Sequence, residues 1–170
     1  MSNMKKRVLS GIQPSGIWHL GSYFGLMSRM ITYQAENDLL YSLKINPDDA
    51  YVLNYLAYSW LERDFKIDEA LKMLEKAYSF KSNDPYIIDS IGWAYYLIDD
   101  YLKAEEFLKR AVELMPDDPI VNDHYGDILW KLNRKIQARY YWSNVLKMEN
   151  AEKKMIDNIN TKMIKGLENS

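Results

Sequence analysis

The stretch SNDPYIIDSIGWAYYL, Ser82–Leu97, has a second version downstream in MPDDPIVNDHYGDILW, Met115–Trp130, and a third upstream in NPDDAYVLNYLAYSWL, Asn46–Leu61. Pro85 and Pro119 stand 34 residues apart, as do Gly92 and Gly126, and Ala104 and Ala138. Ala50 precedes Pro85 by 35 residues, so the first unit carries one extra residue, which we assign to the turn RDFKID, Arg63–Asp68. A repeat of this length signals stacked supersecondary units, each burying its apolar face against its neighbours.

Each unit reads as two helices. Asp84-Pro85 and Asp118-Pro119 form an N-cap followed by Pro at the first helical position, where its missing N–H costs nothing. Asp99-Asp100 and Asn133 mark the turns between paired helices. Small residues at Gly92, Gly126, Ala104 and Ala138 let helix backbones approach closely, and large apolar residues beside them fill the groove. The tail KKMIDNINTKMIKGL, Lys153–Leu167, sets Ile156, Ile159, Met163 and Leu167 at helical spacing. Its other face is polar, as expected of a helix that closes a stack.

This pattern resembles the tetratricopeptide repeat. The middle unit supplies Ile88, Ile91-Gly92, Tyr95, Ala104, Leu108, Ala111 and Pro116. The first supplies Leu53, Leu56-Ala57, Trp60, Ala70, Leu74 and Ala77, with Ser82 where Pro is usual. The third supplies Asn122, Tyr125-Gly126, Leu129, Ala138, Trp142 and Val145, with Asn150 where Pro is usual. The resemblance covers residues 35–152, as units 50–84, 85–118 and 119–152 preceded by a half unit 35–49 that holds Ala35, Leu39 and Pro47. It implies an all-α fold: a right-handed superhelical stack of helix-turn-helix units with a C-terminal capping helix over 153–170.

In this family the first helices line a concave groove that takes a peptide or helix from a partner. By register the groove residues are Tyr51, Asn54, Tyr55 and Tyr58, then Tyr86, Asp89, Ser90, Trp93 and Tyr96, then Asp123, His124, Asp127 and Trp130. Some of the tyrosines serve equally well as packing between units. Tyr and Trp are the usual anchors of a binding hot spot. Relatives that clamp a C-terminal carboxylate do so with Lys, Arg and Asn, and those basic positions are not filled here. An aromatic surface with acidic spots suits a protein or peptide carrying apolar anchors and some Lys or Arg.

The head follows another rule. KKRVLSGIQ reads as a short strand and PSG as a turn, while Leu20, Tyr23, Phe24, Met27, Met30 and Ile31 recur at helical spacing. Strand, tight turn and helix is the geometry that sets backbone N–H groups on a phosphate. The stretch KRVLSGIQPSGIWHLGSYFGLMSRMITYQ, Lys6–Gln34, resembles the start of bacterial tryptophanyl-tRNA synthetase, which runs Gly-Ile-Gln-Pro-Ser-Gly and then a His-x-Gly-Asn signature. The resemblance implies ATP and adenylate contacts for Gly11, Gln13, Pro14, Ser15, Gly16, His19 and Gly21. His19 would stabilise the phosphate charge that develops during adenylate formation. Ser22 replaces the signature's Asn, the second signature loop is absent, and no further βαβ units follow. Residues 1–34 therefore read as a vestigial synthetase start, joined to the repeats near Tyr33–Glu36. Its apolar helix face offers a route to self-association.

Composition narrows the function. At 170 residues, 48% hydrophobic and 27% charged, the chain forms one domain, or one with an appendage. A net charge of −2 argues against a broad grip on nucleic acid or anionic lipid. With no cysteine, thiolate catalysis, disulfides and Cys-ligated zinc are excluded. His19 and His124 are the only histidines, so no His-rich metal site is expected. No apolar run reaches about 18 residues, and the stretch after Lys5-Lys6-Arg7 is a poor signal peptide, so the expected compartment is the cytoplasm. The expectation is a non-enzymatic protein-interaction scaffold without cofactor. The alternatives are a tryptophan–tRNA ligase fragment with residual ATP or tryptophan binding, and a purely structural part of a longer repeat protein.

Overall fold

In the computed structural model of the chain, residues 33–167 are described; the strand and helix expected before Tyr33 lie outside them. Among the described residues the fold is all helical. The order is α1 (Tyr33–Ile45), α2 (Ala50–Leu61), α3 (Ile67–Phe80), α4 (Pro85–Leu97), α5 (Tyr101–Leu114), α6 (Pro119–Lys131), α7 (Lys135–Val145) and α8 (Lys153–Lys165).

Asp49, Asp84 and Asp118 cap α2, α4 and α6 in the same way. Each turns one carboxylate oxygen onto two backbone N–H groups of the first turn, at 2.9–3.3 Å. Such a cap contributes about 1 kcal/mol. Between paired helices the chain reverses through a left-handed residue: Asp64 (φ 49°), Asp99 (φ 61°) and Asn133 (φ 62°). Asp and Asn tolerate this conformation better than other side chains. The extra residue of the first unit falls in the turn between α2 and α3: that turn, 62–66, is two residues longer than 98–100 and 132–134, while α2 is one residue shorter than α4 and α6.

Helices α2 with α3, α4 with α5, and α6 with α7 pair as antiparallel hairpins, and each first helix also packs on the second helix before it. Close contact within a pair depends on small residues. A Cβ added to Gly92 would lie 2.7 Å from Leu108 Cγ, and one added to Gly126 would overlap the Trp142 ring. Ala70, Ala104 and Ala138 of the second helices are fully buried. One continuous core runs through all units, from Leu39 through Leu74 and Leu108 to Trp142 and Ile159. First helices α2, α4 and α6 also touch one another along the stack, whereas the second helices have no comparable contact. The first helices therefore form the inner side of the curve.

Helix α8 begins at Lys153, 34 residues after Pro119, and so keeps the register of a first helix. At the place of Ala57, Gly92 and Gly126 it carries Asn160, which is exposed. Ile159 is buried, while Lys153, Asp157 and Thr161 face solvent beside Asn160. The polar side chain at the small-residue position is what makes α8 a cap. At the other end, α1 occupies a second-helix position, with Leu39 in the core and the Glu36 carboxylate accepting from Trp60 Nε1 (3.0 Å) and Arg63 (2.9 Å). Among the described residues, no helix is long and apolar enough to cross a membrane.

Candidate binding groove

The inner face divides into an open aromatic part and a closed ionic part. Tyr58 and Ile120 form a small apolar cluster apart from the main core, with Tyr55, Tyr86, Trp93 and Met155 packed against it. Tyr58 itself is only 2% exposed, so it builds the surface rather than presenting it. Tyr55, Tyr86, Trp93 and Tyr96 are half-buried, and Tyr51, at the start of α2, is 43% exposed. Burial raises the Tyr86 phenol above its ordinary value, and the Asp118 and Asp84 carboxylates add to this. The Tyr86 phenol is therefore a neutral donor at physiological pH.

Trp93 anchors the middle. Its ring stacks on Tyr96 at 4.6 Å (8° between planes) and on His124 at 4.2 Å (12°). On its other edge the His124 imidazole meets Asp89, with Nδ1 3.0 and 3.1 Å from the two carboxylate oxygens. Both residues are buried. Burial works to lower the His124 pKa, but Asp89 outweighs it and the value is raised, which favours the imidazolium.

The acidic residues Asp123 and Asp127 lie 2.6 and 2.8 Å from a lysine that register alone did not assign to the groove: Lys162 of α8. Trp142 Nε1 donates to the same Asp127 oxygen at 3.0 Å. Desolvation and the neighbouring Asp123 push Asp127 up to about 7, against the pull of Lys162. Burial acts to lower Lys162, yet the two carboxylates prevail and raise it, so the ammonium persists. Asp89, Asp123 and Asp127 are thus turned onto partners within the stack rather than open to the groove.

The remaining assigned positions are polar or peripheral. Asn54 is 1% exposed, with its side-chain oxygen unpaired. Ser90 is buried and donates to the Tyr86 carbonyl at 2.9 Å. Trp130 sits behind the groove against Trp142, with the Arg139 guanidinium 4.9 Å from its ring centre. Gln13, Ser15, Gly16, His19 and Gly21, the positions matched to a synthetase, lie outside the described residues. Sequence reasoning missed Lys162, Met155 and Ile120. Lys162 did carry a signal: its equivalents in earlier units are Ser59, Ala94 and Ile128, all buried, and a lysine in a buried column needs an acid beside it. Among the described residues no cluster of His, Asp and Glu could hold a metal ion.

Comparison with known proteins agrees with this architecture. No family model matches the chain. A TPR repeat-containing protein of Pseudomonas aeruginosa is 34% identical over 94 residues, which is 55% of this chain and 16% of that protein. A tryptophan–tRNA ligase of Fusobacterium nucleatum is 56% identical over 36 residues, which is 21% of this chain and 11% of the ligase. The chain therefore spans a small fraction of either relative. Among solved structures, Pseudomonas aeruginosa pilF superposes with a TM-score of 0.63 at 19% identity, covering 86% of this chain and 74% of that one. The first TPR of Spaghetti (RPAP3), bound to an HSP90 peptide, superposes at 0.56 with 20% identity, covering 66% and 88%. The described helices share the fold of a tetratricopeptide repeat stack.

Proposed function

We propose that this stack is a non-enzymatic interaction scaffold whose inner face binds an extended or helical segment of a partner protein. The observation that carries this reading is the half-open aromatic cluster of Tyr55, Tyr86 and Trp93 seated on Tyr58 and Ile120. Rigid aromatic rings backed by a packed floor are the usual anchors of a binding hot spot. A solved neighbour of the same fold, that of RPAP3, holds a peptide. The matching partner presents apolar side chains to the rings and backbone carbonyls to the phenols. Basic residues in the partner play a lesser part, because Asp89, Asp123 and Asp127 already face His124 and Lys162.

The test is selection of peptides from a random library on the full chain, followed by titration of the winners against Tyr86→Ala, Trp93→Ala and, on the outer face, Leu102→Ala. The inner-face changes should weaken binding by about 2 kcal/mol, roughly thirtyfold, and the Leu102 change should do nothing. Equal affinity for all three variants would reject the groove.

A second reading is favoured by the 36-residue stretch that is 56% identical to a tryptophan–tRNA ligase: retained ATP or tryptophan binding at the head. The matched segment lacks the remaining 89% of such a ligase, so we expect no ATP–pyrophosphate exchange with tryptophan. Exchange that disappears in His19→Ala would reverse this.

A further inference from the structure

Helix α1 is a second helix without its first. Among the described residues it packs chiefly on α2, whereas α3, α5 and α7 each lie between two first-helix positions. The core shows the difference. Leu39 is 9% exposed, where its equivalents Leu74, Leu108 and Trp142 are at 0%. Ser42 is half-buried in a column where Ala77, Ala111 and Val145 are fully buried. On α2, Val52 is half-buried where Ile87 and Val121 are fully buried. Ile87 packs with Ala50 and Leu53 of the first helix before it and with Ala77 of the second. For Val52, the matching first helix has to come from the chain before Tyr33.

That stretch of sequence carries what the position requires. Pro14, Ile17, Leu20-Gly21 and Phe24 repeat the spacing of Pro85, Ile88, Ile91-Gly92 and Tyr95 residue for residue. Gly21 precedes Ala35 by 14 residues; the same interval is 13 from Ala57 to Ala70 and 12 from Gly92 to Ala104 and from Gly126 to Ala138. The added length falls in a turn, where insertions are tolerated. We propose that residues 14–26, which lie outside the described residues, supply the first helix of the half unit, with Ile17, Leu20 and Phe24 seated against Leu39, Ser42 and Val52. Gly21 takes the part of Gly92 and Gly126 and lets the two backbones close over Leu39. The synthetase resemblance and the repeat match fall on the same residues. In the docked helix Leu20 and Gly21 are turned to the core and no longer form a loop around phosphate. By register, Ser15, Trp18, His19 and Ser22 then extend the inner face beyond Tyr51 and Tyr55. That corollary rests on the groove reading, whereas the docking does not.

The docking is tested by backbone amide exchange on the full chain, at two protein concentrations about tenfold apart. In the unaltered protein the amides of residues 17–26 should exchange about tenfold or more slowly than in an unstructured chain, at both concentrations. Gly21→Leu overfills the notch; it should abolish that protection and speed exchange in α1 about tenfold or more, with α5 unchanged. Phe24→Ser removes an anchor without crowding, should act in the same way, and serves if the first variant fails to fold. Ser15→Leu adds the same side chain on the groove side and should change neither segment. Free-chain exchange of residues 17–26 in the unaltered protein overturns the proposal. So does protection that survives both Gly21→Leu and Phe24→Ser, which places the segment elsewhere. Protection lost on dilution also overturns it, giving the position to a second copy. No groove ligand enters these readouts, so the docking and the groove reading stand or fall separately.

Discussion

The indole of Trp142 fills the notch that Gly126 leaves in α6, so closely that a single methyl group on Gly126 would overlap the ring. In the preceding unit a Cβ added to Gly92 would lie 2.7 and 2.8 Å from Leu108 Cγ and Cδ2, a branched side chain that yields more easily than an indole, and 3.1 Å from the Leu108 backbone nitrogen. Replacement by Ala gains about 1 kcal/mol of helix propensity at either site. Overpacking a rigid contact costs about 1–3 kcal/mol. Gly126→Ala should therefore be net destabilising, and Gly92→Ala less so. Chemical denaturation of the two variants checks the order, and a less stable Gly92→Ala would show that Leu108 cannot move aside.

Lys162 is worth more than a surface lysine. Removing one partner of a buried ion pair typically costs about 3–5 kcal/mol, because the other is left uncompensated. Lys162→Met should destabilise the C-terminal part of the stack on that scale near pH 8. The loss should shrink near pH 5, where the acids accept protons. Combining Lys162→Met with Asp123→Asn and Asp127→Asn should recover most of it. Denaturation curves of the single and triple variants decide, and equal losses in both would mean that packing by the lysine stem, not charge, is at stake.

The pH dependence of stability follows from two raised values. His124 is raised above its ordinary value by Asp89 against the opposing effect of burial, and Asp127 is raised to about 7, chiefly by burial. A group bound more tightly to its proton in the folded chain contributes stability that is complete below its unfolded pKa and fades as pH rises through the folded one. For Asp127 that window runs from 3.8 to about 7, and for His124 it opens at 6.5 and extends upward. Glu36 acts in the opposite sense, its lowered value favouring the fold above 4.5, but it lies near the surface of α1. The melting temperature should accordingly be higher near pH 5.5 than near pH 8.5. Asp127→Asn and His124→Gln should each flatten the profile. A maximum on the alkaline side would contradict the assignment.

The tyrosines of the inner face should separate into two kinds. Tyr58 is buried, so Tyr58→Ala should lose several kcal/mol, toward the about 3–5 kcal/mol typical of large aromatic truncations. Tyr51 is 43% exposed, and Tyr51→Ala should change stability by about 0.5 kcal/mol or less. Thermal melts of both variants are sufficient. A large loss at Tyr51 would mean that its contact with Lys81, whose ammonium stands 5.5 Å from the ring centre, holds the first unit together.

The periodic part of the molecule was plain in the sequence because it rests on local chemistry. Asp84 and Asp118 beside their prolines announce helix starts, and Gly92 and Gly126 announce close contacts. All four act on their own helix or its hairpin partner. The ionic joints were not plain because they link equivalent helices of successive units. Asp89 with His124, and Asp127 with Lys162, are each separated by 35 residues. Nothing local marks such a pair, and by register alone the acids looked like groove residues. The lysine in a column otherwise held by Ser59, Ala94 and Ile128 was the one visible trace.

The stacking of Trp93 on His124 at 4.2 Å gives the molecule its own optical gauge. An imidazolium accepts an electron from an excited indole far more readily than a neutral imidazole does. Emission from Trp93 therefore reports the charge on the neighbouring ring. Comparing the unaltered chain with Trp93→Phe isolates that signal from those of Trp18, Trp60, Trp130 and Trp142, and reads the electrical state of the α4–α6 joint without any label.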